Sequence, residues 1–123
     1  MDSILAYAVG GAKSMRVVHG IEVFGVDVDA ETRCAHWNSE LDIIAIKFKC
    51  CGHWFPCFEC HKAVANHEAE VWPANEREAK AVLCGACGRE LSIAEYLERG
   101  PECPECGSGF NPGCAKHYHL YFE

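Results

Sequence analysis

This 123-residue chain has no long apolar run. The stretch ILAYAV near its start is six residues. That is too short to cross a bilayer and shorter than the apolar core of a secretory leader. The start, MDSILAYAVGGAKSMR, has an acid at position 2 and no basic cluster ahead of that stretch. The expectation is therefore a cytoplasmic, reducing location, no membrane association, and thiols that stay free to bind metal. Basic residues are scarce too: 11 Lys and Arg stand against 18 Asp and Glu, for a net charge of −7. Lys47 and Lys49 alternate along one strand, and no larger basic cluster exists. Nucleic acid, which is held through its phosphates by a basic face, is not an expected partner. No motif recurs at a fixed period, which excludes a repeat array.

Aliphatic and aromatic residues are in modest supply once the 10 Cys are set aside, and 11 Gly and 5 Pro break the chain often. The length suits one loop-rich domain with a small core. Such a core needs a staple, either disulfides or metal. Seven His accompany the Cys, several within three residues of one. A disulfide framework does not require that mixture, whereas zinc accepts thiolate and imidazole in one tetrahedral shell.

Residues 1–14 read as a flexible, Gly-rich extension, and 15–123 as a single domain. MRVVHGIEVFGVDVD alternates like a pair of strands, and DIIAIKFK predicts a central strand over 43–49. Residues 57–71 lack Gly and Pro and suit a helix. His61 and His67 are six apart, so a bend or a helix end is expected near one of them. WPANE reads as a turn leading to a short helix through Lys80. Ser92, with Glu95 three residues on, predicts a capped helix over IAEYLER, stopped by Gly100 and Pro101. HYHLYFE reads as a terminal strand. The fold class is small α+β, its short strands and helices gathered around metal.

The stretch CCGHWFPCFECH fits several chemistries. Cys57, Cys60 and His61 form the C-x-x-C-H of covalent haem, but eight further Cys would have no role. P-C-x-x-C is half of a zinc deaminase signature, yet Asn38 stands where the proton-shuttling Glu belongs after His36. His67-Glu68 meets Val71 where the metalloprotease H-E-x-x-H needs its second His. Dithiol redox chemistry needs a βαβ setting, whereas these pairs sit in Gly-rich sequence such as CGACG and CPECG.

Structural zinc accounts for more of the residues. Cys84-x-x-Cys87 and Cys103-x-x-Cys106 are separated by 15 residues, within the window of a four-Cys site. Eight earlier ligands make two more sites. Cys34-x-His36 and Cys57-x-x-Cys60 are natural hooks for one, leaving Cys50, Cys51, His61 and His67 for the other. Exchanging the two hooks between metals would leave the composition unchanged. Cys114, His117 and His119 resemble an incomplete fourth site, but a half-buried thiol with strand histidines is the favoured reading. His19 and His53 read as surface residues. Trp54, Phe55, Phe58, Trp72 and Phe110 read as core or as shields over the metals. Asp27, Asp29 and Glu31 read as a solvated acidic face.

Cys34-Ala35-His36, the DIIAIKFKCC strand, P-C-x-x-C-H at 56–61, His67, Trp72-Pro73, AVLCGACG, CPEC and FNPGCAKHYHLYF together resemble the CHY-type zinc finger family. The likeness runs from about Val26 to Phe122. It implies a domain with three zinc ions. The family includes N-terminal modules of ubiquitin ligases and small stand-alone proteins, among them a mitochondrial helper of small translocase chaperones linked to zinc handling and a disulfide relay. Trp37 replaces the Tyr that the family name expects, and no ligase motif follows Cys106. The expected function is a non-enzymatic zinc-binding protein-interaction module, with zinc or thiol handling of Cys-rich client proteins as the alternative.

Overall fold

The computed structural model describes residues 13–99, 102–111 and 118–123. Residues 1–12 of the expected extension, the Gly100-Pro101 stop, Cys114 and His117 lie outside them. Among the described residues, six strands form one sheet in the order β1-β2-β4-β3-β5-β6.

Strands β1 (Lys13–Val18) and β2 (Ile21–Val26) form the expected hairpin, with Met15 opposite Phe24. Its two-residue turn places His19 at φ 51° and Gly20 at φ 80°. Positive φ at both positions is what a tight hairpin turn demands if its twist is to match the strands. β3 (Ile44–Lys47) lies between β4 (Trp54–Phe55) and β5 (Lys80–Cys84), antiparallel to both. β6 (Glu90–Ser92) closes the far edge, and β2 and β4 form the one parallel pair among the described strands.

The central strand divides its side chains between two faces, as a period of two requires. Ile44, Ile46 and Phe48 enter the larger core with Phe55, Val82, Leu91 and Phe110. Ala45 points the other way, into a smaller cluster of Val18, Val23, Val28, Trp54 and Leu83. The paired segment is shorter than the expected 43–49. After Lys47 the chain folds into a tight turn, closed by Phe48 N–H to His53 O (3.0 Å) and Gly52 N–H to Phe48 O (2.7 Å). That turn carries Cys50 and Cys51.

Helix α1 (Phe58–Val64) covers half of the expected 57–71. It stops at Ala65, whose backbone is extended (ψ 151°), and the chain then turns back to bring His67 toward Cys50. Helix α2 (Ile93–Arg99) begins with the predicted reciprocal cap. The Glu95 N–H donates to Ser92 Oγ (3.0 Å), and the Ser92 N–H donates to Glu95 Oε1 (2.9 Å). That second bond, with Arg89 and Lys80 nearby, draws the Glu95 carboxyl down to about 2.

Two expected elements differ. The helix after Trp72-Pro73 is a single 3-10 turn, Ala74–Glu76, and β5 already begins at Lys80. The expected terminal strand is a 3-10 turn, Tyr118–Leu120, followed by one bridge between Phe122 and Trp72. Trp72 is the residue that pairs there. Its N–H donates to Tyr121 O and its carbonyl accepts from Glu123 N–H, both at 2.8 Å.

The Cys84–Gly88 turn is seated on the end of the sheet with no room to spare. Gly85 is buried and donates to Ile43 O (2.6 Å). A Cβ there would run into the Glu31 carbonyl group and would lie 2.8 Å from Ile43 O. Because these are backbone atoms, little can yield. Gly85→Ala is expected to destabilise the folded chain by about 3 kcal/mol, seen as a lowered midpoint of thermal unfolding at saturating zinc. An unchanged midpoint would contradict this packing.

Candidate metal centres

Among the described residues, three groups of four Cys and His side chains bring their donor atoms within 4.8 Å of one another. They are Cys34, His36, Cys57 and Cys60; Cys50, Cys51, His61 and His67; and Cys84, Cys87, Cys103 and Cys106. Of the two groupings that the sequence left open for the first eight, the structure brings together the one pairing the Cys34-His36 hook with Cys57 and Cys60.

The spacings identify the kind of centre. Zn–S and Zn–N bonds of about 2.3 and 2.05 Å at tetrahedral angles give edges of about 3.8 Å between sulfurs, about 3.5 Å between sulfur and nitrogen, and about 3.3 Å between nitrogens. In the first group Cys34 Sγ is 3.7 Å from Cys57 Sγ, and His36 Nδ1 is 3.5 Å from both Cys57 Sγ and Cys60 Sγ. In the second, His61 Nε2 is 3.3 Å from His67 Nε2, and Cys50 Sγ is 3.3 and 3.2 Å from those nitrogens. In the third, the Cys84–Cys106 and Cys87–Cys103 sulfurs are each 3.8 Å apart. A disulfide requires about 2.05 Å, and these cysteines are free. Donor sets of S₃N, S₂N₂ and S₄ suit zinc. Each group can hold one zinc ion, three per chain.

The local fold explains how eight donors from one stretch separate into two groups. Successive residues of a helix diverge by about 100°. Cys60 and His61 are neighbours on α1 and face different partners. Cys60 points at β2, where Val26 N–H donates to its sulfur at 3.4 Å. Gly25 leaves the space for that sulfur, since a Cβ would approach it to 2.9 Å. His61 points into the core, stacked on Phe48 at 4.4 Å and met edge-on by Phe55 at 4.9 Å. Cys57 caps the same helix, its sulfur accepting the Cys60 N–H at 3.4 Å. The seven residues of α1 are too few to hold a helix alone, so its position depends on both groups.

Electrostatics within the first group favour one thiolate among thiols. Hydrogen bonds from Cys57 and Cys60 draw Cys34 down to about 2, and the bond to Cys34 pushes Cys57 up. The same partner raises Cys60 to about 12. Burial raises Cys51, Cys84 and Cys87, whereas the Ser108 hydroxyl lowers the exposed Cys106 to about 6. Burial, with His67 second, lowers His61 and keeps it a neutral donor. A dication among these sulfurs favours the thiolate form of all of them.

Each group has one exposed donor: His36, His67 and Cys106. The second group has only His61 buried. Several supporting residues carried no signal in the sequence. His19, expected on a strand surface, sits in the hairpin turn with Nε2 2.8 Å from Gly85 O. Asp29 and Glu31, expected as a solvated face, bind Arg33 (3.3 and 2.9 Å), and Asp29 Oδ1 also accepts the Glu31 and Arg33 N–H groups. Together they shape the loop that delivers Cys34. Thr32 in that loop adopts φ 69°, a strained conformation for a β-branched residue. His53 is exposed as expected, its ring 5.1 Å from Phe24. Trp54, Phe55 and Phe110 are buried, and Phe58 and Trp72 half-buried. His119 is exposed in the C-terminal 3-10 turn. Beside the first group lies a cavity of about 200 Å³, walled in part by Cys57, Thr32, Trp37 and Tyr121.

These three centres on a mixed sheet define a small zinc-organised α+β domain. The CHY zinc finger model matches residues 34–96. The chain is 44% identical over 101 residues to Helper of Tim protein 13 of Kluyveromyces lactis, covering 82% of this chain and 88% of that protein. It is 42% identical over 104 residues to Helper of Tim protein 13 of Saccharomyces cerevisiae, covering 82% and 90%. An uncharacterized protein of Schizosaccharomyces pombe is 37% identical over 101 residues, covering 82% and 88%. No solved structure matches. The chain belongs to the CHY zinc finger family.

Because α1 supplies donors to two groups, those groups should fill together. Cys57→Ser is expected to reduce bound zinc from three ions to one, and Cys106→Ser from three to two, counted by native mass spectrometry. Loss of a single ion from Cys57→Ser would show that the two groups fill independently.

Proposed function

We propose that the twelve residues of the three groups ligate three structural zinc ions, and that the domain they organise is a non-enzymatic protein-interaction module. The observation that carries this is the completeness of each donor set. Four side chains of the chain itself fill each tetrahedron, which leaves no open position of the kind a catalytic zinc keeps. Zinc held this way contributes its binding free energy to folding. The exposed apolar residues Met15, Val17, Trp37 and Leu41 then present contact surface on a rigid scaffold.

The names of the two budding-yeast relatives point to Tim proteins as the partner class, which are Cys-rich clients in the alternative reading. A Tim-type partner would place the chain in mitochondria rather than in the cytoplasm expected from the sequence. The alternative, zinc or thiol handling, is favoured by one observation, the exposed donor in each group, most of all in the group of Cys50, Cys51, His61 and His67.

One titration separates the two readings. The zinc-loaded chain is mixed with a recombinant Tim protein while a chromophoric chelator reports free metal. The module reading expects a complex with Kd at or below about 10 μM and all three zinc ions retained. Zinc release that tracks the client concentration would replace it with the handling reading. No complex at any accessible concentration would remove Tim proteins as the partner class.

A further inference from the structure

The cavity beside the first zinc group is lined by a buried hydroxyl without a hydrogen-bond partner and by a buried carboxylate that is hydrogen-bonded but has no counter-charge among the described residues. Thr32 is 1% exposed and lines the cavity, and its Oγ1 has no hydrogen-bond partner. The other buried side-chain atom without one among the described residues is Arg89 Nε, at the opposite end of the sheet near β6. A buried hydroxyl with no partner costs about 1–3 kcal/mol, and this one is carried by a β-branched residue in left-handed backbone. Strain and an orphaned polar atom at one residue point to a ligand rather than to packing.

Asp42 supplies the carboxylate. It is 5% exposed and lines the same cavity. Its carboxylate accepts Ser39 N–H at 2.9 Å and Asn111 Nδ2 at 2.8 Å. No cation pairs with it among the described residues. A buried carboxylate is ordinarily paired with a cation. Glu59 adds a second carboxylate to the wall, and among the described residues no Lys or Arg lines it. The rest of the wall is apolar, part aliphatic and part aromatic, the rings coming from Trp37, Phe58, Tyr96 and Tyr121. Ring faces beside carboxylates form the environment in which a cation with an apolar stem is held.

We propose that this cavity is a recognition pocket for a basic side chain, lysine or arginine, presented by a protein partner. The stem lies against the rings, the charge faces Asp42 and Glu59, and an N–H donates to Thr32 Oγ1. The volume of about 200 Å³ accommodates one such side chain. A chain of net charge −7 favours a basic partner before contact is made. This rests on the interaction-module reading and names the chemistry that the module selects.

The test is amide NMR of the zinc-loaded full chain, titrated with a five-residue peptide carrying lysine between glycines. The arginine peptide, the norleucine peptide and free butylamine are run beside it. The expected result is saturable shifts centred on Thr32, Trp37 and Asp42 with either basic peptide, and affinity about tenfold weaker for norleucine. Thr32→Val keeps the side-chain shape and removes the orphaned hydroxyl. It should leave thermal stability equal or higher while weakening the lysine peptide several-fold. Asp42→Asn should also weaken binding, judged only if its spectrum remains folded.

Equal binding of the norleucine peptide would overturn the basic occupant and leave an apolar docking pocket, with the module reading intact. Equal binding of butylamine and peptide would make this a site for a free amine and overturn the protein source. Shifts spread over the acidic surface, or none, would end the pocket proposal, while the complex with a Tim protein decides the module reading separately.

Discussion

The turn of helix that carries Cys60 and His61 determines the arrangement of the domain. Two adjacent residues about 100° apart cannot reach the same tetrahedron, so two donor groups must form on either side of α1. One draws in the loop of Cys34 and His36 from beyond β2. The other draws in the Cys50-Cys51 turn at the end of β3 and the returning chain at His67. The strand between those two points, β3, is thereby fixed at both ends, and the sheet grows outward from it. In a chain with so small a core, that fixation takes the place of the extra hydrophobic layer a larger domain would use.

The third group is built on a different plan. Both of its Cys pairs lie in turns, one after β5 and one in the bridge between Glu102 and Gly109. They need no helix, and Gly85, Gly88 and Gly107 give the chain the space or the positive φ that those turns require. His19 links the two plans by tying the β1–β2 turn to the carbonyl of Gly85.

Much of this was legible in the sequence because the constraint is chemical. Cys and His at short spacings are costly to explain otherwise, so the twelve side chains that the structure gathers into three groups could be named, while the division of the first eight between two groups stayed open. The Ser92–Glu95 cap was readable because local chemistry decides it, and the first pair of strands because it alternates, although the turn at His19-Gly20 was not placed. The expected helix over 57–71 was too long, since propensity carries no record of where His67 must go. The terminal strand failed for a similar reason: the described pairing there is the single bridge at Trp72, and alternation in HYHLYFE cannot show that. Thr32 and Asp42 gave no signal, because an orphaned hydroxyl and a carboxylate without a cation are properties of packing. The closeness of Gly25 to Cys60 and of Gly85 to Glu31 likewise depends on contacts between distant segments.

The central claim is that these donors form three tetrahedra partitioned as the geometry shows. Cadmium substitution followed by cadmium–proton correlation NMR tests it most directly, because each metal reports the cysteine β-protons and imidazole protons bonded through it. The account predicts three cadmium resonances: one correlated with Cys34, His36, Cys57 and Cys60, one with Cys50, Cys51, His61 and His67, and one with Cys84, Cys87, Cys103 and Cys106. A resonance that couples Cys57 and Cys60 to His61, or fewer than three resonances at saturating cadmium, would contradict it.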